Sequence, residues 1–159
     1  MGSDLPEYVR QGCHPLPTSA EPVSCTYGDP DSDVTLAVVG GSHTGQWIPA
    51  LRLIAEDYRW RIVTFIKRGC KFSTDRQFDV VGSYSVSCQP WNESVVQRLI
   101  SLQPQAVFAT ATAGQGSSEH VPKGFIDQWQ KLDDAGIPVV AVRDNPRMNF
   151  RVAECVELH

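Results

Sequence analysis

The sequence lacks any cluster of basic residues and any long hydrophobic run. Its net charge is −4 and its pI about 5.5, so the composition favours neither a nucleic-acid partner nor an anionic membrane surface. No apolar stretch approaches the roughly 20 residues that a membrane-spanning helix needs. The first residues, Met1-Gly2-Ser3, lack the features of a signal peptide and are typical of a cloning remnant. We therefore expect this segment itself to be soluble.

Metal-binding patterns are scarce as well. The chain has four histidines, and none of its five cysteines shows the short C-x₂₋₄-C spacing of a zinc site. We therefore predict no metal and no cofactor. A flavodoxin-like nucleotide domain is an alternative, which nucleotide retained on purification would reveal.

The cysteines instead indicate disulfides. Cys13 and Cys25 bracket a proline-rich loop, and Cys70 and Cys88 bracket a polar one. Two disulfide-closed loops imply an oxidising, extracytoplasmic compartment, and each would stabilise the fold by about 3 kcal/mol in the chain-entropy model. Five buried free thiols in a cytosolic protein are the alternative. Cys155 is left over, and we expect its partner to lie beyond residue 159.

The chain divides at about residue 33. Residues 1–33 hold five of the eleven prolines and show no periodic apolar pattern. This pattern predicts an irregular N-terminal arm, tied down by a Cys13–Cys25 disulfide and containing neither strand nor helix. We assign residues 34–159 to a single α/β domain.

Apolar strands alternate with amphipathic helices after residue 33. Strands are predicted at 34–39, 61–66, 106–111 and 137–142, and helices at 47–58, 91–102 and 125–132. This alternation indicates a three-layer α/β/α fold with a parallel, flavodoxin-like sheet. Four strands with no closing helix predict a fold truncated at its C-terminus.

A glycine-rich turn follows the first strand. Gly40 and Gly41 allow the backbone to bend sharply before Ser42, at the sheet edge where parallel sheets bind ligands. Ser42 is a candidate nucleophile, with backbone N–H groups nearby to stabilise an oxyanion. Two alternatives stay open from the turn alone, a phosphate or anion site and a plain helix cap.

Several segments resemble one family. Gly40-Gly41-Ser42-His43, followed by Gln46-Trp47-Ile48-Pro49-Ala50-Leu51, is similar to the first block of the SGNH domain fused to membrane acyltransferase-3 proteins. Arg68-Gly69-Cys70 resembles the second block, whose cysteine pairs with one before an aromatic residue, here Cys88. Asp144-Asn145-Pro146 followed by Cys155 resembles the segment after the fourth strand. The match covers most of residues 12–157.

The resemblance implies a serine mechanism. Ser42 would attack an acyl carbonyl and become transiently acylated, and the backbone N–H groups of Ser42 and Gly69 would hold the oxyanion. Related enzymes add an asparagine side chain after the third strand, which this sequence lacks. Thr112 or Gln115 is the candidate substitute.

The catalytic base departs from the family pattern. The family's Asp-x-x-His does not occur in these 159 residues. We expect a structural hydrogen-bonding role for His43, because consecutive residues on a turn seldom face each other. His120 lies in a loop on the correct side of the sheet, and Asp144 is not assigned as the triad acid. Together with Gly41, Gln115 and Asn145, these three are expected to line the site.

The expected activity is therefore an O-acyltransferase or esterase. It would act on short, acetyl-like acyl groups of cell-envelope carbohydrate, with a glycan as acceptor and a membrane acyltransferase domain of the full-length protein supplying the acyl group. We expect an extracytoplasmic location and weak or no activity without the Asp-x-x-His. The alternative is a non-catalytic module of the same fold that binds a glycan or an anion at Ser42.

Overall fold

A computed structural model describes residues 5–76, 83–114 and 116–146, with the side chains of residues 83–86 left out. The predictions for Gln115, for Cys155 and for the C-terminal end fall outside these residues. Within them, no helix is both long enough and apolar enough to cross a bilayer.

After a short N-terminal helix and an edge strand, helices separate each pair of successive strands in the rest of the described chain. In chain order they are α1 (Glu7–Arg10), β1 (Ser24–Gly28), β2 (Thr35–Gly40), α2 (Ser42–Gly45), α3 (Ile48–Tyr58), β3 (Arg61–Ile66), α4 (Ser83–Leu102), β4 (Ala106–Thr110), α5 (Lys123–Asp133) and β5 (Val139–Val142). The sheet order is β1-β3-β2-β4-β5. The pairs β3–β2, β2–β4 and β4–β5 are parallel, whereas β1 runs antiparallel to β3.

Two hydrophobic cores cover the two faces of the sheet. Successive strand residues face opposite sides, so Val38 packs in one core and Val39 in the other. The first core contains Tyr8 of α1 and Ile48, Leu51 and Ala55 of α3. The second contains Trp91, Val95 and Leu99 of α4 and Leu132 of α5. The predicted three-layer α/β fold is thereby confirmed.

The N-terminal arm is more regular than predicted. It contains α1 and β1, so the expectation of neither strand nor helix is wrong. In β1 only Tyr27 is buried, and the strand is specified by its ladder to β3, where Cys25 lies opposite Thr64. A five-residue edge strand with one buried side chain shows too little alternation to be recognised in sequence. The division of domains at residue 33 stays a prediction.

Helix α4 begins earlier than predicted. It starts at Ser83, eight residues before the predicted start at Trp91, and it carries Pro90 inside. Proline in a polar stretch is usually a sign of a loop, because its ring disfavours a preceding helical turn. Here Cys88 lies within the helix and its disulfide joins this first part to the segment after β3.

Both predicted disulfides are present. Cys13 pairs with Cys25 across a Cα–Cα distance of 5.4 Å, and Cys70 pairs with Cys88 across 5.3 Å. All four side chains lie inside the protein or at the edge of a core. The first bond joins the end of the α1 segment to β1, and the second joins the β3–α4 connection to α4.

A buried lysine connects three parts of the chain. Lys67 follows β3, is fully inaccessible to solvent, and donates from Nζ to the Ser19 carbonyl and to Ser87 Oγ at 2.7 Å. No carboxylate in the described ranges forms an ion pair with it. Burial therefore lowers its pKa to about 8, because the charged form loses hydration without gaining an opposite charge.

Substitution of two glycines tests how much the stability of the fold depends on the close approach of one backbone segment to another. Gly28 and Gly136 have nearly equal φ angles, 76° and 75°. A Cβ on Gly28 would lie 2.3 Å from the Trp60 carbonyl oxygen, whereas a Cβ on Gly136 would meet nothing within 4 Å. We expect Gly136→Ala to lower the free energy of unfolding by about 1–2 kcal/mol, the cost of the left-handed conformation alone.

Gly28→Ala should lower the free energy of unfolding by roughly 1–3 kcal/mol more than Gly136→Ala does, because β1 must move away from the chain preceding β3. Urea denaturation of the two variants measures the difference directly. Equal losses of free energy of unfolding in the two variants would show that β1 and Trp60 can move apart to accommodate a Cβ without destabilising the fold.

The pH dependence of the free energy of unfolding tests whether burial lowers the pKa of Lys67. In the unfolded chain a lysine titrates near pH 10.4, roughly, so between about pH 8 and pH 10 the unfolded state binds more protons than the folded state. The free energy of unfolding should therefore rise with pH across this window. Above it, Tyr8 and Tyr27 reverse the slope, since burial raises the pKa of both and their unfolded forms ionise first.

Lys67→Met should flatten this rise, and Lys131→Met, at an exposed lysine, serves as the control. Denaturant midpoints measured at several pH values give the slope. A slope that survives in Lys67→Met would show that another group is responsible.

Candidate functional site

The turn after β2 requires glycine at its first position. Gly40 has φ 141°, which side chains disfavour, and a Cβ there would lie 2.5 Å from Thr44 Oγ1. Thr44 is itself fully buried, and its hydroxyl lies 3.4 Å from that of Thr110 at the end of β4. The bend therefore places the start of α2 directly over the ends of β2 and β4.

A second turn packs against the first. The N–H of Cys70 donates to the Lys67 carbonyl at 3.0 Å, and Gly69 takes φ 76° within this turn. A Cβ on Gly41 would lie only 3.0 Å from the Cys70 carbonyl oxygen, so the two backbones nearly touch. This contact brings Ser42 and Gly69 onto neighbouring segments. Within the described residues, neither of their N–H groups has a hydrogen-bond partner.

Ser42 is the first residue of α2, and its side chain is exposed. The cap of this helix is Gly41, and no side chain caps it. Across the described ranges the Ser42 hydroxyl forms no hydrogen bond, so the sequence alternative of a plain helix cap does not describe this serine. Ser42 therefore lies exposed at the carboxyl edge of the sheet.

The N-terminal helix supports α2 from the other end. The buried ring of Tyr8 packs closely against Gly45, so that a Cβ on Gly45 would lie 3.0 Å from the ring. Glu7 on the same helix forms an ion pair with Arg52 of α3. The arm thus fixes the short helix that carries Ser42.

The structure joins His43 to Asp144. His43 Nδ1 lies 2.7 Å from Asp144 Oδ1, across 101 residues of sequence. Next to this pair, Asn145 Nδ2 donates to Gln46 Oε1 at 2.6 Å. His43 therefore has a hydrogen-bonded partner from the segment after β5, and both Asp144 and Asn145 lie at the Ser42 helix.

Thr112 is engaged with other residues. Its hydroxyl donates to Glu119 Oε1 at 2.8 Å and accepts the N–H of Asp144 at 3.0 Å. Arg143 binds both oxygens of the same Glu119 carboxylate, and together with Thr112 it lowers the pKa of Glu119 to about 2. An oxyanion role for Thr112 would require its proton to leave Glu119, and that role stays a prediction.

His120 is turned toward its own loop. Its Nδ1 lies 2.9 Å from the Ser118 carbonyl oxygen, and its backbone pairs with Ala113. Three polar residues near the candidate site are not predicted from the sequence, namely Gln46, Glu119 and Arg143. Glu119 and Arg143 adjoin the predicted site residues His120 and Asp144 in the sequence, and this proximity is the signal that could have identified them. Gln46 follows directly after α2.

One comparison with known proteins gives a match. A family model described as SGNH domain (fused to AT3 domains) matches residues 12–159. Searches of curated proteins and of solved structures returned no match. The matched region includes the Ser42 turn, the Gly69 turn and the His43–Asp144 pair. The chain therefore belongs to the family of SGNH domains that are fused to AT3 domains.

Proposed function

We propose that this domain transfers or hydrolyses short acyl groups through an acyl-Ser42 intermediate. The observation that carries the proposal is the exposed Ser42 hydroxyl without a partner, beside two backbone N–H groups that are also unpartnered among the described residues. Membership of the SGNH family supports hydrolase or acyltransferase chemistry.

The first half of the reaction is acylation. Ser42 Oγ attacks the carbonyl carbon of the donor, the N–H groups of Ser42 and Gly69 receive the oxyanion, and the donor's leaving group departs with a proton. These 159 residues contain no Asp-x-x-His to take the serine proton. Acylation from ordinary esters should therefore be slow, whereas an activated ester with a good leaving group needs less help.

The proposed substrate is an acetyl-like ester of cell-envelope carbohydrate, on the extracytoplasmic side. Two disulfides favour an oxidising compartment over the cytosol. The fusion to AT3 domains that characterises the family supports a membrane acyltransferase domain as the acyl donor's source. The proposal of a glycan as the acceptor rests on the resemblance of the sequence to the family alone.

A direct test follows the fate of Ser42. With p-nitrophenyl acetate, we expect p-nitrophenolate release and acetylation of Ser42, detected by peptide mass spectrometry. Ser42→Ala should lower the release to the level of buffer, because the remaining groups cannot form the intermediate.

Ser94→Ala is the matched control, since Ser94 is a partly exposed serine on α4 whose hydroxyl donates to the Pro90 carbonyl. Its release should equal that of the unaltered chain. Absence of any Ser42-dependent release, together with binding of a glycan or an anion, would replace the proposal by the non-catalytic binding module.

A further inference from the structure

We infer that Lys67 is a positioning residue for the Gly69 N–H, because its buried side chain holds the turn that carries this N–H against α4. The inference rests on the proposed function, in which the Gly69 N–H receives the oxyanion of the acylation step. It assigns a task to a buried polar group that the acylation chemistry itself does not use.

Residues 67–70 form a type II turn. The Cys70 N–H donates to the Lys67 carbonyl at 3.0 Å, and Gly69, the third residue of the turn, has φ 76°. In a type I turn that φ is about −90°, and in a type I′ turn the second residue, here Arg68, would also have a positive φ, which it does not. The peptide group between Arg68 and Gly69 faces opposite ways in types I and II. The type of the turn therefore decides the direction of the Gly69 N–H.

Both ends of this turn are attached to adjacent residues of α4. Lys67 Nζ donates to Ser87 Oγ at 2.7 Å, and the disulfide joins Cys70 to Cys88. Between these two attachments, Cys88 Sγ lies 3.9 Å from the Gly69 carbonyl oxygen. One attachment is a hydrogen bond and the other is covalent. Together they fix the first and last residues of the turn against one point of the helix.

The same lysine joins the turn to the N-terminal arm and to β2. Its Nζ also donates to the Ser19 carbonyl, and the Ser87 hydroxyl donates in turn to the Pro17 carbonyl. The backbone N–H of Lys67 donates to the Gly40 carbonyl at 2.9 Å. Lys67 is fully buried and Ser87 is 5% exposed, so water does not compete for these bonds. The side chain of Lys67 is thus a fixed support beneath the turn.

The charge on Lys67 strengthens this support. A hydrogen bond from an ammonium group is roughly twice as strong as one from a neutral donor. Burial lowers the pKa of Lys67 to about 8, and no charged group of the arm, of the connection after β3 or of α4 adds to this shift among the described residues. These groups include His14 and Glu21 of the arm, Arg68 and Lys71 of the connection, and Glu93 and Arg98 of α4. The hold on the turn should therefore weaken as the pH rises through this pKa.

The rate at which acetyl-Ser42 forms from p-nitrophenyl acetate tests the inference. Timed peptide mass spectrometry gives this rate between about pH 6.5 and pH 9.5, a range that spans the pKa of Lys67. Near pH 7 we expect Lys67→Met to acylate roughly tenfold more slowly than the unaltered chain, a smaller loss than the roughly 10²–10³-fold that removal of an oxyanion donor causes. Lys131→Met, at an exposed lysine, is the control and should match the unaltered chain.

The pH profile separates positioning by the charged side chain from a simple loss of packing. The ratio of the unaltered rate to the Lys67→Met rate should shrink by about threefold or more across the range, because the unaltered chain loses its own ammonium group. A methionine that only packs badly would give the same ratio at every pH. A constant ratio, or equal rates near pH 7, would overturn the inference.

Ser87→Ala keeps the inference testable if Lys67→Met does not fold, which near-ultraviolet circular dichroism shows. It removes one acceptor of Lys67 Nζ, so acylation should slow near pH 7 and the ratio should again shrink at higher pH. Ser94→Ala, on the same helix, is its matched control. A folded Ser87→Ala that acylates at the unaltered rate would contradict the role of Lys67. An unaltered chain that never acetylates Ser42 would instead refute the proposed function, and the inference with it.

Discussion

The contact between two backbone turns is the constraint on which the site depends. The chain after β2 and the chain after β3 approach so closely that a Cβ on Gly41 would lie only 3.0 Å from the Cys70 carbonyl oxygen. The parallel ladder prepares this contact, since Gly40 lies opposite Ile66 and its carbonyl accepts the Lys67 N–H at 2.9 Å. Both strands thus end at the same level, and the Cys70–Cys88 disulfide anchors the second turn to α4.

The other side of the site depends on polar contacts instead of close packing. The segments after β4 and β5 meet α2 through His43–Asp144, Asn145–Gln46 and the hydroxyl of Thr112. Arg143 and Glu119 complete this group as an exposed cation on a less exposed carboxylate. The candidate site is thus held by contacts between backbones near β3 and by hydrogen bonds between side chains near β5.

The sequence predicts the fold where the signal is local. Buried parallel strands are continuous apolar runs, so β2 to β5 are found within two residues of their observed ends. Strand β1 escapes detection because only Tyr27 is buried, and the partner of Tyr27 in the ladder is the distant Ile62. The start of α4 is missed because Pro90 suggests a loop, while a disulfide and packing against the core stabilise the helix.

The site is predictable in part for the same reason. Ser42 is proposed from the glycine-rich turn and the family resemblance, and Gly69 from the resemblance alone, and both signals are properties of short segments. The His43–Asp144 pair joins residues on different elements, and nothing local marks the two as partners. The expectation that His43 does not face Ser42 stays a prediction, whereas its contact with Asp144 follows only from the order of the strands.

The antiparallel pairing of β1 has a consequence for how the protein avoids self-association. Strand β3 is almost wholly buried, and without β1 its open backbone edge would be a template for strands of other molecules. The arm is therefore a built-in cover for that edge, secured by the Cys13–Cys25 bond. A domain boundary drawn at residue 33 would remove this cover, and the shortened protein would tend to aggregate even with every residue around Ser42 intact.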